Sequence, residues 1–322
     1  MLDAAVQARI ERALSFQDPE QAPTCDVLDN PRLFDYFSPG EDSPLRKKIK
    51  AYHELGVDIC WRFDRRQALR KSRFREWLEA PLSRSMRLAM LRPEEIEQEL
   101  ADFRQQQRAF EPFTHLAMFA EGILSVVYQN VGFDRFSERM YQEPLEVERL
   151  IDVQAENLRS RAQAFGRANL GKLFFVNDII AGEKGGIFSE HFLTAQWLPR
   201  LRSAILPLKE QGVKVILHTP GNITALLDGL VDAGIDGIHP VDPKAGMDIT
   251  LIKQKYYGRL LVFAGVPLRG QEVQFVKDFT RKILVNNAKG GGLFIGSQAV
   301  VDASCPLANV LPLYTAVKEY RL

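Results

Sequence analysis

From about residue 150 to the C-terminus the chain repeats one pattern: a stretch with apolar residues every three or four positions, a glycine, then a short run of consecutive apolar residues. The first spacing is that of an amphipathic helix and the second that of a strand buried on both faces. Leu173–Val176, Val213–Leu217, Ile235–Val241, Leu260–Phe263 and Leu293–Ile295 are the predicted strands. Between them, Trp197, Leu201, Ile205 and Leu208 share one helical face before Gly212. Ile223, Leu226, Leu227 and Leu230 do the same before Gly234. Each glycine stands where a helix adopts its left-handed cap. Apolar strands separated by amphipathic helices imply parallel strands, in a doubly wound sheet or a closed barrel. Chain length and strand number favour a (β/α)₈ TIM barrel.

The N-terminal half carries the pattern less clearly. Residues 1–50 are rich in turn signals, with Pro19, Pro23, Pro31 and Pro39 around short aromatic segments, and read as a capping extension of a single 1–322 domain. Leu45–Leu55 is a predicted helix ending at Gly56, and Val57–Trp61 is the candidate first barrel strand. Residues 62–108 alternate Arg, Glu, Gln and Leu, as solvated helix faces do, with Pro93-Glu94-Glu95 opening one helix. Pro112–Phe119 is the next apolar run.

Charge changes the picture little. Lys plus Arg number 42 against 41 Asp plus Glu, so nothing draws the chain to a phosphate backbone or an acidic bilayer, and neither nucleic acid nor membrane is expected as a partner. Cys25, Cys60 and Cys305 are too few and too scattered for a disulfide framework. With no basic-then-apolar leader at the N-terminus, a cytoplasmic location is expected.

In a parallel barrel, polar residues just beyond each strand converge on the mouth. That rule selects Asn177 and Asp178, then His218 and Asn222, then Asp242, then Ser297 and Gln298, with Lys184 in the loop Lys184-Gly185-Gly186. Asp178, His218 and Asp242 are the candidate catalytic groups. Asn177, Asn222, Ser297, Gln298 and Lys184 are candidate substrate-binding groups. Asp178 follows an apolar strand, where burial would raise a carboxyl pKa; its structural alternatives are a helix N-cap and a partner for Lys184. His115 and His191 are within sequence reach of the mouth, whereas His53 lies in a predicted helix. No zinc signature stands out by spacing.

Several motifs in order carry a resemblance: Asn177-Asp178, Lys184-Gly185-Gly186-Ile187-Phe188-Ser189, His218-Thr219-Pro220-Gly221-Asn222, Pro243-Lys244-Ala245-Gly246-Met247-Asp248-Ile249, Gly290-Gly291-Gly292 and Pro306-Leu307-Ala308-Asn309-Val310. Together they resemble the uroporphyrinogen decarboxylase superfamily, which includes haem-pathway decarboxylases and cobalamin-dependent methyltransferases. The resemblance implies an active site in the mouth of a (β/α)₈ barrel. In the decarboxylase branch it implies an Arg-Gln-Ala-Gly-Arg motif for substrate carboxylates, of which Arg66-Gln67-Ala68-Leu69-Arg70 keeps all but the glycine. In the methyltransferase branch it implies zinc on His-x-Cys plus a later cysteine. Here His218 is retained, Pro220 replaces the first cysteine and Gly296-Ser297-Gln298 stands in place of the second. Zinc held by His218 with oxygen ligands such as Asp178, Asp242 or a glutamate, and a site without metal, are both compatible with those residues. The expectation is corrinoid-dependent methyl transfer involving a small methylated substrate, with methylcobalamin carried by a corrinoid protein. The alternatives are porphyrinogen decarboxylation and a non-catalytic tetrapyrrole- or partner-binding barrel.

Overall fold

The computed structural model describes residues 2–61 and 90–321. Twelve strands are found among them: β1 (Cys25–Asp26), β2 (Leu28–Asp29), β3 (Ile59–Trp61), β4 (His115–Glu121), β5 (Leu173–Asn177), β6 (Ala181–Gly182), β7 (Gly185–Gly186), β8 (Lys214–His218), β9 (Gly237–Val241), β10 (Leu261–Val266), β11 (Leu293–Ser297) and β12 (Val301–Asp302). Eight of them form one parallel sheet in the order β1-β3-β4-β5-β8-β9-β10-β11. A parallel bridge from Thr24 to Ile295 joins its two ends. The sheet is therefore a closed (β/α)₈ barrel with helices on the outside, the architecture that the apolar runs and glycine-capped helices predict.

One expectation is corrected by the first strand. Val57–Trp61 does supply a barrel strand, but it is the second in the ring; Cys25–Asp26, inside the stretch read as a cap, is the first. Two residues are too short for any periodicity to register. Only the preceding helix, Ala4–Leu14, works as a cap. Asp3 opens it by accepting from the backbone N–H groups of Ala5 and Val6. Val6, Ile10, Ala13 and Leu14 pack with Ile59, Leu173, Phe175, Ile216, Phe263 and Phe294, so this helix closes the end where the strands begin. The other face of each strand belongs to a larger core shared with the outer helices.

Gly296 is where the barrel closes. An added Cβ would lie 2.0 Å from the carbonyl oxygen of Cys25, a backbone atom that can move only with its strand. Gly296→Ala is expected to cost at least about 2 kcal/mol in a urea titration, without touching any residue of the mouth.

Among the described residues no helix is long and apolar enough to cross a membrane. All three cysteines are buried. Cys60 sits against the Tyr52 hydroxyl, and burial pushes its thiol up to about 11.

Candidate active site

Strand register places the polar residues. Glu121 of β4 pairs with Asn177 of β5, Asn177 with His218 of β8, and His218 with His239 of β9. Four neighbouring strands thus carry one row of polar side chains, at the ends of β4, β5 and β8 and within β9. Asn177 donates to the Glu121 carboxylate at 3.1 Å. The Nδ1 atoms of His218 and His239 are 2.7 Å apart, and the rings stack at 4.9 Å.

The row continues because β9 is irregular. Its register against β10 slips between Val262 and Ala264, so that Val241 pairs with Ala264 in the outer core. The slip brings Asp242 to the inner side along with His239, although an even number of residues, Pro240 and Val241, separates them. There Asp242 accepts from the Gln298 amide and from the backbone N–H of Lys244. Gly265 lies between them on β10. An added Cβ would approach the Gln298 Cα at 2.9 Å, so glycine leaves the space across which Asp242 and Gln298 meet.

Three hydrogen-bonded pairs therefore ring the mouth: Glu121 with Asn177, His218 with His239, and Asp242 with Gln298. Beneath them lies an aromatic layer. Phe119 meets the His218 ring edge-on at 5.6 Å, while Phe175 and Phe263 meet His239 at 5.8 and 5.9 Å. Phe294 stacks on Phe263 at 4.4 Å. His239 is only 4% exposed and His218 half-buried. Desolvation pushes His218 down to about 4 and His239 well below the ordinary histidine range, the latter also through the charge that His218 would carry. Both imidazoles are uncharged at neutral pH.

Asn177, His218, Asp242 and Gln298 thus meet as the sequence predicts; Asp178, Ser297, Asn222 and Lys184 do not join them. The Asp178 side chain is 0% exposed. It accepts from the backbone N–H groups of Ile123, Leu124 and Ser125 at the start of the helix Leu124–Val131, and from the Trp197 indole at 2.7 Å. That helix begins at Ile123, which has no side-chain oxygen, so a residue from β5's end supplies the cap. Gly122 makes room, since a Cβ there would lie 2.5 Å from the Asp178 Cβ. The structural alternative for Asp178 is the one observed.

Ser297 is the second correction. Its hydroxyl meets Asp26 and the carbonyl of Ala299, and its N–H donates to Asp26 at 2.9 Å, behind the strand and away from the ring. Tyr314, on the helix Leu307–Glu319, donates to the same Asp26 carboxyl at 2.6 Å. Asn222 accepts from the backbone N–H of Thr224 and gives its own N–H to Gly182, which fastens the β6–β7 hairpin. Lys184 is exposed on that hairpin's turn. His115 opens β4 at the far end of the barrel from the ring, and His191 is exposed. Arg66-Gln67-Ala68-Leu69-Arg70 lies outside the described residues.

Two ring members were missed by the sequence reading. Glu121 follows the apolar run His115–Ala120 and satisfies the same strand-end rule, applied two residues further on. His239 sits within Ile235–Val241 and left no separate signal, because Asp242 already ended that strand.

Burial pushes the Asp26 carboxyl up to about 6, against the hydrogen bonds from Ser297 and Tyr314 that lower it. Between pH 3.8 and about 6 the folded chain holds a proton that the unfolded chain releases, so this group's contribution to stability falls as pH rises. The full effect is about 3 kcal/mol. Asp26→Asn, whose amide can donate to the Ser297 hydroxyl, should remove this dependence. Urea midpoints of variant and parent are expected to separate in the variant's favour between pH 4 and pH 7, and equal shifts at both pH values would refute the assignment.

The ring does not suit zinc. Of the oxygen donors considered for His218, Asp178 is engaged at a helix start, Asp242 with Gln298 and the ring's glutamate, Glu121, with Asn177. Among the described residues no three His, Cys, Asp or Glu side chains are placed to hold a metal ion.

Residues 51–320 match the family model for uroporphyrinogen decarboxylase (URO-D). Among solved structures, a methyltransferase from Methanosarcina mazei is similar with a TM-score of 0.72 at 16% identity, covering 98% of both chains. A B12-independent methionine synthase from Shewanella sp. W3-18-1, solved in complex with selenomethionine, has a TM-score of 0.55 at 14% identity, covering 93% of this chain and 97% of that one. At these identities the likeness is one of fold. No curated protein matches the sequence.

Proposed function

The chain belongs to the uroporphyrinogen decarboxylase family, and from that premise we propose that it is an enzyme of methyl transfer, acting on a small methylated substrate held in the barrel mouth. The observation that carries the reading is the chemistry of the ring. Among the described residues, its six positions hold an uncharged histidine pair and two carboxylate–amide pairs over an aromatic layer, with no Lys or Arg in the three pairs. A porphyrinogen carries many carboxylates, for which guanidinium forks are the natural receptors. A small, weakly polar methylated molecule suits this ring better. The fold likeness to a methyltransferase over nearly the whole of both chains agrees with it.

Methyl transfer moves CH3 without its bonding electrons. The acceptor supplies the new electron pair, while the leaving heteroatom keeps the old one and takes up a proton. Glu121–Asn177 and Asp242–Gln298 would fix the substrate's polar groups, and the His218–His239 pair would meet the heteroatom from which the methyl departs. Beside an uncharged imidazole, an N–H can steady that atom as negative charge develops on it. We assign the acceptor's role to a corrinoid on a partner protein docking over the mouth, whose cobalt would supply the electron pair. The ring itself makes no demand for zinc.

The test is anaerobic incubation with cob(I)alamin and, separately, methoxylated, methylthiolated and methylaminated donors, reading methylcobalamin by its absorption spectrum. At least one donor class is expected to methylate the cobalt. Failure of every class, together with coproporphyrinogen formation from uroporphyrinogen, would transfer the assignment to decarboxylation. Failure of both reactions would leave a binding barrel.

A further inference from the structure

At the opposite end of the barrel from the ring, a cavity of about 370 Å³ is lined by Lys253, Gln254, Tyr257, Asn286, Asn287 and Lys289. Lys253 and Gln254 stand in the last turn of the helix Ile249–Lys255, Asn286 and Asn287 end the helix Val273–Asn287, and Tyr257 and Lys289 lie just beyond them. Both helices lead into strands, β10 and β11, so the cavity lies where strands begin. The Tyr257 hydroxyl donates to the Gly290 carbonyl at 3.2 Å and reaches the Phe16 carbonyl, behind the cap helix, at 3.4 Å. We propose that this cavity is a binding site for a small polyhydroxylated phosphate monoester, a molecule of the sugar-phosphate class.

The central group is Lys253. Lysine is almost never fully buried unless paired, yet only 8% of this residue is exposed. Among the described residues its Nζ donates to the Lys289 carbonyl at 2.9 Å and stands 5.4 Å over the Tyr257 ring, and no carboxylate forms an ion pair with it. A carbonyl and a ring face carry no full negative charge. The charge of Asp18 favours the ammonium, but burial outweighs it and pulls Lys253 below the ordinary lysine range. An anion in the cavity would supply the missing counter-charge.

The rest of the lining sets the ligand's character. It holds two lysines and no acid, which suits a phosphate monoester, with about −1.5 to −2 charges at neutral pH, better than a single carboxylate. Asn287 already gives its Nδ2–H to the Ile283 carbonyl at 3.0 Å, so it offers a ligand an acceptor oxygen, which suits a hydroxyl and not an oxyanion. Gln254 and Asn286 can serve either. The volume exceeds what a bare phosphate fills and falls within the roughly 300–1,000 Å³ of small-molecule sites. No aliphatic side chain lines it, so an apolar ligand would gain little there. As a mere tie between the helix's last turn and the Lys289 carbonyl, Lys253 would use one of its three donors and would need neither a cavity nor a second lysine.

Isothermal titration of the whole chain at neutral pH tests it, with glycerol 3-phosphate, ribose 5-phosphate and glucose 6-phosphate as probes and inorganic phosphate, glucose and gluconate as controls. At least one of the three monoesters is expected to bind with a Kd below about 1 mM, and every control at least about tenfold more weakly. Lys253→Met, which keeps the stem's bulk and removes the charge, and Lys289→Gln, at an exposed position, should each weaken that binding at least about fivefold. Failure of all three monoesters to give saturable heat, a control that binds as tightly, or an affinity unchanged in a folded variant would overturn the proposal. If Lys253→Met fails to fold, Lys289→Gln decides alone. The site stands apart from the ring, so the titrations judge it whether or not a methyl donor is accepted.

Discussion

Asp178→Ala should unfold the protein more readily by about 3–5 kcal/mol, measured by urea titration, because the substitution strands several buried donors at once. Ile123, Leu124 and Ser125 present backbone N–H groups to this carboxylate, and the Trp197 indole adds a fourth. None of the four has water as an alternative, since the site is closed and Trp197 is 0% exposed. A buried donor left unpaired costs about 1–3 kcal/mol; partial collapse of the helix start should hold the total below a simple sum. Asp178→Asn should also destabilise, as its NH2 must face N–H donors. A catalytic Asp178 would give the opposite pattern, a collapse of kcat with the urea midpoint unmoved, and that result would reinstate the sequence expectation.

His218→Ala should show the complementary behaviour. Loss of the half-buried imidazole is expected to lower methyl-transfer kcat by at least about 100-fold while changing stability by less than about 2 kcal/mol. The ring belongs to the mouth, where it meets His239 and the edge of Phe119, so its removal leaves the barrel's inner packing largely intact. Since burial pushes His218 down to about 4, wild-type activity that depends on the neutral ring should persist as pH falls from neutrality and fail only near that value. A variant within about threefold of wild type would remove His218 from the chemistry.

The two substitutions separate what the sequence could convey from what it could not. The strand-end rule found Asn177, His218, Asp242 and Gln298, because a polar residue after an apolar run is a local signal. It could not separate Asn177 from Asp178, adjacent residues at one strand end: the first faces Glu121, the second turns to cap a helix that begins 55 residues earlier in the chain. Ser297 and Gln298 divide in the same way, one behind the strand with Asp26 and the other in front with Asp242. Pleating fixes that choice, and a boundary uncertain by one residue inverts it. His239 was hidden for a related reason, since only the slip in β9 places it and Asp242 on one side. The barrel was legible from Leu173 onward because helix and strand periods alternate cleanly there. Cys25–Asp26 was not, because two residues hold no period and their pairing partners are distant.

That distance affects how the chain comes together during synthesis. β1 belongs between β3 and β11, and its bridge joins Thr24 to Ile295. On the ribosome the N-terminal neighbour forms first, while the other flank of Cys25–Asp26 waits for Leu293–Ser297, far later in the sequence. Until then the growing sheet has an open edge at each end, and the Ala4–Leu14 helix has no complete rim to seal. Contacts this far apart in sequence slow folding and prolong exposure of unpaired strands. The nascent chain should therefore depend on chaperones until that last strand has emerged, and a ribosome stalled before Leu293 should hold an open, protease-sensitive sheet rather than a smaller barrel.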